Sequence, residues 1–154
     1  AVTESMHVLR AEKGFIIVGQ ETDGSVTPLD LDMDWIVSKT KDFVGKRSLT
    51  RADMAKPDRK QLVGLLTEDP REVLPEGAQL VEKVLSQPPM PMLGHVTSSY
   101  WSPNVGRSIA LALVKGGLAR KGETLYAPLA DGRTLPCVVA ESPVFFDPEA
   151  ERLK

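Results

Sequence analysis

A chain of 154 residues with 42% hydrophobic and 26% charged residues has enough apolar content for one globular core, or a small domain plus part of another. The formal net charge of −2 excludes the broad basic surface that nucleic-acid binding demands, and supplies no attraction to an anionic membrane. The longest apolar runs, such as 109–114, are far too short to span a bilayer, and the single cysteine, Cys137, excludes an internal disulfide and fits a reducing compartment. The chain is therefore expected to be soluble and cytoplasmic, with no nucleic-acid or membrane partner. With no basic-then-apolar leader, no signal peptide is expected, and the start on Ala1 without a Met is what an excised segment or Met removal would give.

Val2, Met6 and Leu9 recur at helical spacing and Gly14 follows as a stop, which predicts a short helix over 3–12. The GFIIVG stretch (14–19) reads as a glycine-bounded turn or short strand, and a polar loop follows to Pro28. Residues 34–37 (Asp-Trp-Ile-Val) read as a strand. A helix is predicted at about 48–55 with Ser48 as its N-cap, and Lys56-Pro57-Asp58 marks a boundary. Beyond it the texture is β. Strands are predicted at 60–66, 79–83, 93–98, 107–114, 124–128 and 133–140, with Asp131-Gly132 as a hairpin turn. In the run Ile109-Ala110-Leu111-Ala112-Leu113, large residues alternate with alanines, which suits a strand packed closely on both sides. Short strands at this spacing predict a small barrel or sandwich.

Few residue patterns point to chemistry. Cys137 lies between Pro136 and Val138 with no histidine near it, as a buried structural cysteine does. His7 and His95 are isolated, no metal-ligand spacing occurs, and Gly106, Gly116 and Gly117 form no phosphate-binding loop. Glu12 is the exception. It falls in the last helical turn, where the macrodipole disfavours an anion. The plain explanation is a solvated glutamate. The functional one is a carboxylate that accepts two parallel N–H bonds, as offered by a guanidinium or by the aminopyrimidinone edge of a pterin.

The string LRAEKGFIIVGQETDGSVTPLDLDMDW is similar to the pattern LRxExGxxxxGxE/D, followed by TP and a later Trp. That pattern marks the glycine cleavage T-protein and its folate-binding aminomethyltransferase relatives. Further pieces match in the same order: Phe43-Val44-Gly45-Lys46, then Arg59 to Leu65, Gly94-His95-Val96-Thr97-Ser98, Ser102-Pro103 and Ser108 to Ala112. The ending, Pro143 to Arg152, and the variant Thr97-Ser98-Ser99-Tyr100-Trp101 look like the branch of sarcosine oxidase alpha subunits and dimethylglycine dehydrogenases. T-proteins more often carry Thr-Ser-Gly there.

The resemblance implies an α+β fold: the C-terminal portion of a T-protein-like folate-binding domain (1–56), a small antiparallel β-barrel (59–148) and a tail (149–154). It implies that Glu12 holds the pterin of tetrahydrofolate and that Lys41, six positions after Trp35, is a second folate contact; a surface lysine explains Lys41 equally well. Some T-proteins have a folate-contacting tyrosine near the C-terminus, where this sequence has Ala150-Glu151-Arg152. Tyr100 and Trp101 are expected in packing rather than in the site. The family's catalytic aspartate has no counterpart here, so no catalytic residue is expected in this chain, and no metal.

The complete enzyme implied by the branch oxidises sarcosine and passes the one-carbon unit to tetrahydrofolate. Its FAD, FMN and NAD lie outside this chain. Its other parts are the remaining N-terminal part of the alpha subunit and the beta, gamma and delta subunits of a heterotetramer. The chain alone is expected to lack turnover, and its GFIIVG stretch to leave an apolar patch that favours homodimers. A glycine cleavage T-protein, a dimethylglycine dehydrogenase-like region and a noncatalytic β-barrel assembly module are the alternatives.

Overall fold

A computed structural model describes residues 2–154. Helix α1 spans Val2–Glu12 and ends at Gly14, whose φ of 69° is the left-handed stop that glycine adopts without a Cβ penalty. Six strands follow: β1 Lys60–Thr67, β2 Gln79–Val81, β3 Met92–Ser102, β4 Arg107–Lys115, β5 Thr124–Pro128 and β6 Thr134–Val139. They close an antiparallel barrel in the order β1-β4-β3-β2-β5-β6, with β6 returning to β1 through Leu65↔Val139 and Thr67↔Cys137. The α+β fold with a closed antiparallel barrel agrees with the sequence reading.

The two faces of β4 explain its alternation. Ala110, Ala112 and Val114 point into the barrel with Val63, Leu65, Val96, Leu125 and Cys137. Leu111 and Leu113 point outward, where Leu31 and Leu62 join them and Ile16, Val26, Met33 and Phe145 pack against the group. A small barrel has room for only small residues at some interior positions, so the alanines lie inside. The leucines lie under the segment that precedes the barrel and the segment that follows it.

Two predicted elements differ. Residues Asp34–Ile36 form a 3-10 turn rather than a strand, and Trp35 is exposed. No neighbouring strand offers its backbone partners, and β-propensity without pairing is not enough. Lys46–Thr50 is likewise a 3-10 turn entered through Gly45 at φ 91°, and Ser48 sits within it rather than capping a helix. Its residues present no buried face, and a short helix without tertiary packing cannot repay its nucleation cost. The GFIIVG stretch contributes a turn at Ile17 and an isolated bridge, Val18↔Thr22, rather than a strand.

β3 carries the irregularity that matters most. Its pairing with β4 runs Val96↔Ala112 and then Ser98↔Leu111, so Thr97 is an extra residue. A bulge of this kind reverses the alternation beyond it. Val96 faces inward with Ala112, whereas Ser98 shares the outer face with Leu111, and Tyr100 and Ser102 follow on that face. All three meet residues of α1 or of the turn after it.

Gly94, just before the bulge, has no room for a side chain. A Cβ there would stand 2.0 Å from the Leu113 carbonyl oxygen, a backbone atom that cannot swing away. Gly94→Ala is expected to cost about 1–3 kcal/mol in urea unfolding, the range for overpacked sites. Gly24→Ala, in open space, is expected to stay within about 0.5 kcal/mol of the parent.

Candidate functional site

The polar residues of the LRxExGxxxxGxE stretch converge where α1 crosses the outer face of β3. Arg10 directs its guanidinium at five acceptors. Nη1 donates to Glu21 Oε2 at 3.2 Å and to the Phe15 carbonyl at 3.1 Å. Nη2 donates to Ser98 Oγ at 2.6 Å, to Gln20 Oε1 at 3.0 Å and to the Tyr100 hydroxyl at 3.3 Å. Glu21 is fully buried; it also accepts the Ile17 N–H at 2.7 Å and the Ser98 hydroxyl at 2.5 Å. Ser98 thus accepts from Arg10 while donating to Glu21, which closes a three-membered polar circuit in a place nearly free of water. Charges removed from water require pairing of this kind, although Arg10 Nε is buried without a hydrogen-bond partner.

Glu12, two residues after Arg10, is also buried, at 1% exposure. Its Oε1 accepts the Ser102 hydroxyl at 2.5 Å and its Oε2 accepts the Asn104 amide at 2.9 Å. Its carbonyl, one of the orphan acceptors at a helix C-terminus, receives the N–H groups of Phe145 and Phe146 at 2.8 and 3.0 Å. No described basic side chain forms an ion pair with it. The neighbouring cations are engaged elsewhere: Arg10 with Glu21, Lys13 with Asp147, and Arg152 over the Phe146 ring. Glu12 lies in the wall of a cavity of about 290 Å³ with Leu9, Lys13, Phe15, Asn104, Phe146 and Arg152. Lys13 and Phe15 also border a second cavity, of about 310 Å³, that is walled by Trp35, Met33 and Val144.

Lys41 is elsewhere. It is exposed and lines an apolar groove of about 520 Å³ with Ile36, Phe43, Val44 and Leu49. Its own N–H bonds Ser38 Oγ, and its carbonyl receives Lys46 Nζ at 2.7 Å. The two expected folate contacts therefore belong to separate concavities. Tyr100 packs against Arg10, with the guanidinium 5.8 Å from its ring centre, as an interface residue.

Sequence reasoning missed Arg10, Glu21, Ser98, Ser102 and Asn104. The usable signal was two charged residues at fixed positions beside Glu12 in one motif; their shared partner Ser98 lies 88 residues from Arg10 and 77 from Glu21. It also missed a second buried anchor. Asp30 receives a guanidinium fork from Arg59, with Nη2 at 2.8 Å, together with the Thr27 N–H at 2.9 Å and hydroxyl at 3.0 Å, and its carbonyl takes the Leu62 N–H at 2.7 Å. This ties the 27–30 turn to the start of β1.

The remaining titratable groups carry no visible chemistry. Burial pushes the Cys137 thiol up to about 12, so at neutral pH it is no nucleophile. Burial, assisted by the Lys60 charge, holds His95 below its usual value. Among the described residues no cluster of His, Cys, Asp or Glu is placed to hold a metal ion, and no helix is long and apolar enough to cross a membrane.

Breaking the Arg10–Glu21 pair is expected to be costly in one direction only. Glu21→Leu, which strands the buried guanidinium, should lower stability by about 3–5 kcal/mol. The double variant Arg10→Met/Glu21→Leu should recover more than half of that loss in urea unfolding, because no unpaired charge then remains. For Asp30, burial raises the carboxyl pKa, but the bonds from Arg59 and Thr27 together outweigh it and leave it below the usual value. A depressed native value means that its stabilisation is present above the unfolded carboxylate pKa of about 3.9 and is lost as pH falls through the native value. Asp30→Asn should therefore flatten the acid limb of a thermal-stability profile below about pH 4.

Residues 60–147 match the glycine cleavage T-protein C-terminal barrel domain. Over 97% of its length the chain is 55% identical to the sarcosine oxidase subunit alpha of Corynebacterium sp. (strain U-96), and 42% identical to that of Rhizobium meliloti (strain 1021). Over 90% of its length it is 33% identical to an aminomethyltransferase of Thermotoga petrophila. It spans 16% and 15% of the two alpha subunits and 35% of the aminomethyltransferase. The crystal structure of aminomethyltransferase T of the Bartonella henselae glycine cleavage system shares the fold, with a TM-score of 0.76 over 92% of this chain and 38% of that one at 23% identity. The chain belongs to the glycine cleavage T-protein C-terminal barrel family.

Proposed function

We propose that this chain forms one wall of a tetrahydrofolate site in a polypeptide of the sarcosine oxidase alpha type, bracing that wall with its barrel. The higher identity to alpha subunits than to the aminomethyltransferase supports the branch. In this reading the whole protein oxidises sarcosine and passes the one-carbon unit to tetrahydrofolate, forming 5,10-methylenetetrahydrofolate. Flavin and nicotinamide chemistry lies outside these residues, and the partners are the rest of the alpha subunit and the beta, gamma and delta subunits.

The observation that carries the proposal is the Glu12 carboxylate. It is buried and unpaired with any cation, and it lies beside the apolar and aromatic side chains of Leu9, Phe15 and Phe146. Each of its oxygens has one neutral protein donor and keeps capacity for another. A flat heterocycle with adjacent N–H groups matches both the charge and the shape. Glu12 would orient the ring, and the aromatic neighbours would exclude water from that bond. Lys41, exposed on the separate apolar groove, is a weaker, purely electrostatic contact.

A noncatalytic assembly role is the second reading. It draws on the same two hydrogen bonds, which would then serve only to hook α1 onto the barrel. Anaerobic titration of the assembled full-length protein with tetrahydrofolate separates the two. Glu12→Gln is expected to weaken binding about tenfold or more, the order for losing a charge-assisted bond, and Lys41→Ala by less. Unchanged affinity in Glu12→Gln would leave only the assembly role.

A further inference from the structure

We infer that Asn104 is a positioning residue for the Glu12 carboxylate, holding it with Ser102 in the orientation that a ligand with paired N–H donors requires. This rests on the folate reading of Glu12 and extends it to the β3–β4 turn. The turn is built to present two donors at fixed positions. Gly106, at φ 75°, lets the chain reverse and sends its N–H to the Ser102 carbonyl at 2.8 Å. The Val105 N–H bonds Ser102 Oγ at 3.0 Å, so that hydroxyl is engaged as an acceptor and its one proton is free for Glu12. Asn104 then supplies the other oxygen at 2.9 Å.

Two-point holding matters because the terminal torsion of a glutamate is soft. With Ser102 alone, the carboxylate turns about its last bond. With Asn104 on the second oxygen its plane is set. The Glu12 backbone is held as well, through the Phe145 and Phe146 N–H groups. Both side-chain donors are neutral, and Arg10, Lys13 and Arg152 each have other partners, so the negative charge stays available to a ligand. Asn104 itself lies on the exposed turn, away from the barrel interior.

The test is anaerobic tetrahydrofolate titration of the assembled full-length protein, read beside its melting temperature. Asn104→Ala is expected to bind about tenfold more weakly with little change in melting. Asn104→Asp sets two carboxylates face to face, so its affinity should be poor at pH 8 and recover toward pH 5, where a protonated aspartic acid can donate. The exchange Glu12→Gln/Asn104→Asp keeps the hook with donor and acceptor reversed. It should regain melting temperature yet bind no better than Glu12→Gln. Parent-like affinity in Asn104→Ala, with Glu12→Gln impaired, overturns the inference while sparing the folate reading. Should Asn104→Ala melt early, a flat pH profile for Asn104→Asp overturns it instead. Parent-like affinity in Glu12→Gln removes the folate reading, and the Asn104 role with it.

Discussion

A guanidinium and a carboxylate buried between α1 and β3 set the terms for the rest of this molecule. Arg10 and Glu21 are nearly out of water, and each is costly there unless every strong donor and acceptor nearby is arranged to meet it. Ser98 and Tyr100 from the barrel, Gln20 from the turn after α1, and the backbone of Phe15 and Ile17 meet these groups, leaving Arg10 Nε without a partner. The pair adds little net stability compared with an apolar replacement. Its effect is on geometry, since separating the two partners strands a charge away from water. With α1 placed, Glu12 arrives opposite Ser102 and Asn104.

The barrel supplies a stiff surface for that docking. Its interior is closed by small and branched residues, and β4 is covered on both faces, so neither face yields easily. Gly94 lets β3 and β4 approach at the point where β3 bulges, and the bulge brings Ser98, Tyr100 and Ser102 to the outer face. On the opposite flank, Asp30 and Arg59 secure the irregular segment that leads into β1. Irregular chain between α1 and β1 is thus held by the buried carboxylates of Glu21 and Asp30, and the exposed 3-10 turns lie between Asp30 and its partner Arg59.

Among the described residues, the groups suited to acid–base or nucleophilic chemistry are few. The Cys137 thiol is buried and pushed up to about 12, and His95 is partly buried and held below its usual value. Among the described residues, Glu12 is the buried carboxylate without an ion-pair partner, and it lines a cavity beside Phe15 and Phe146.

The strands of the barrel could be read in order from alternation and turn residues, because a strand half-buried in a small barrel must alternate and a hairpin must turn on residues such as Asp131-Gly132. Helix α1 and its glycine stop were equally plain, and Glu12 stood out as an anion at the wrong end of a helix. The polar frame around Glu12 could not be read. Ser98, Tyr100 and Ser102 look like one face of a strand that continues the phase of Val96, and on that phase they would point into the core. A single unpaired residue, Thr97, reverses the phase, and nothing in the Val-Thr-Ser-Ser-Tyr string marks it. The short elements at 34–37 and 48–55 were misread for a related reason, since their form depends on neighbours that do not come. Local pattern reports which residues want burial or a turn. Which buried carboxylate meets which hydroxyl depends on strand register across a closed sheet, and that is settled only when the whole barrel pairs.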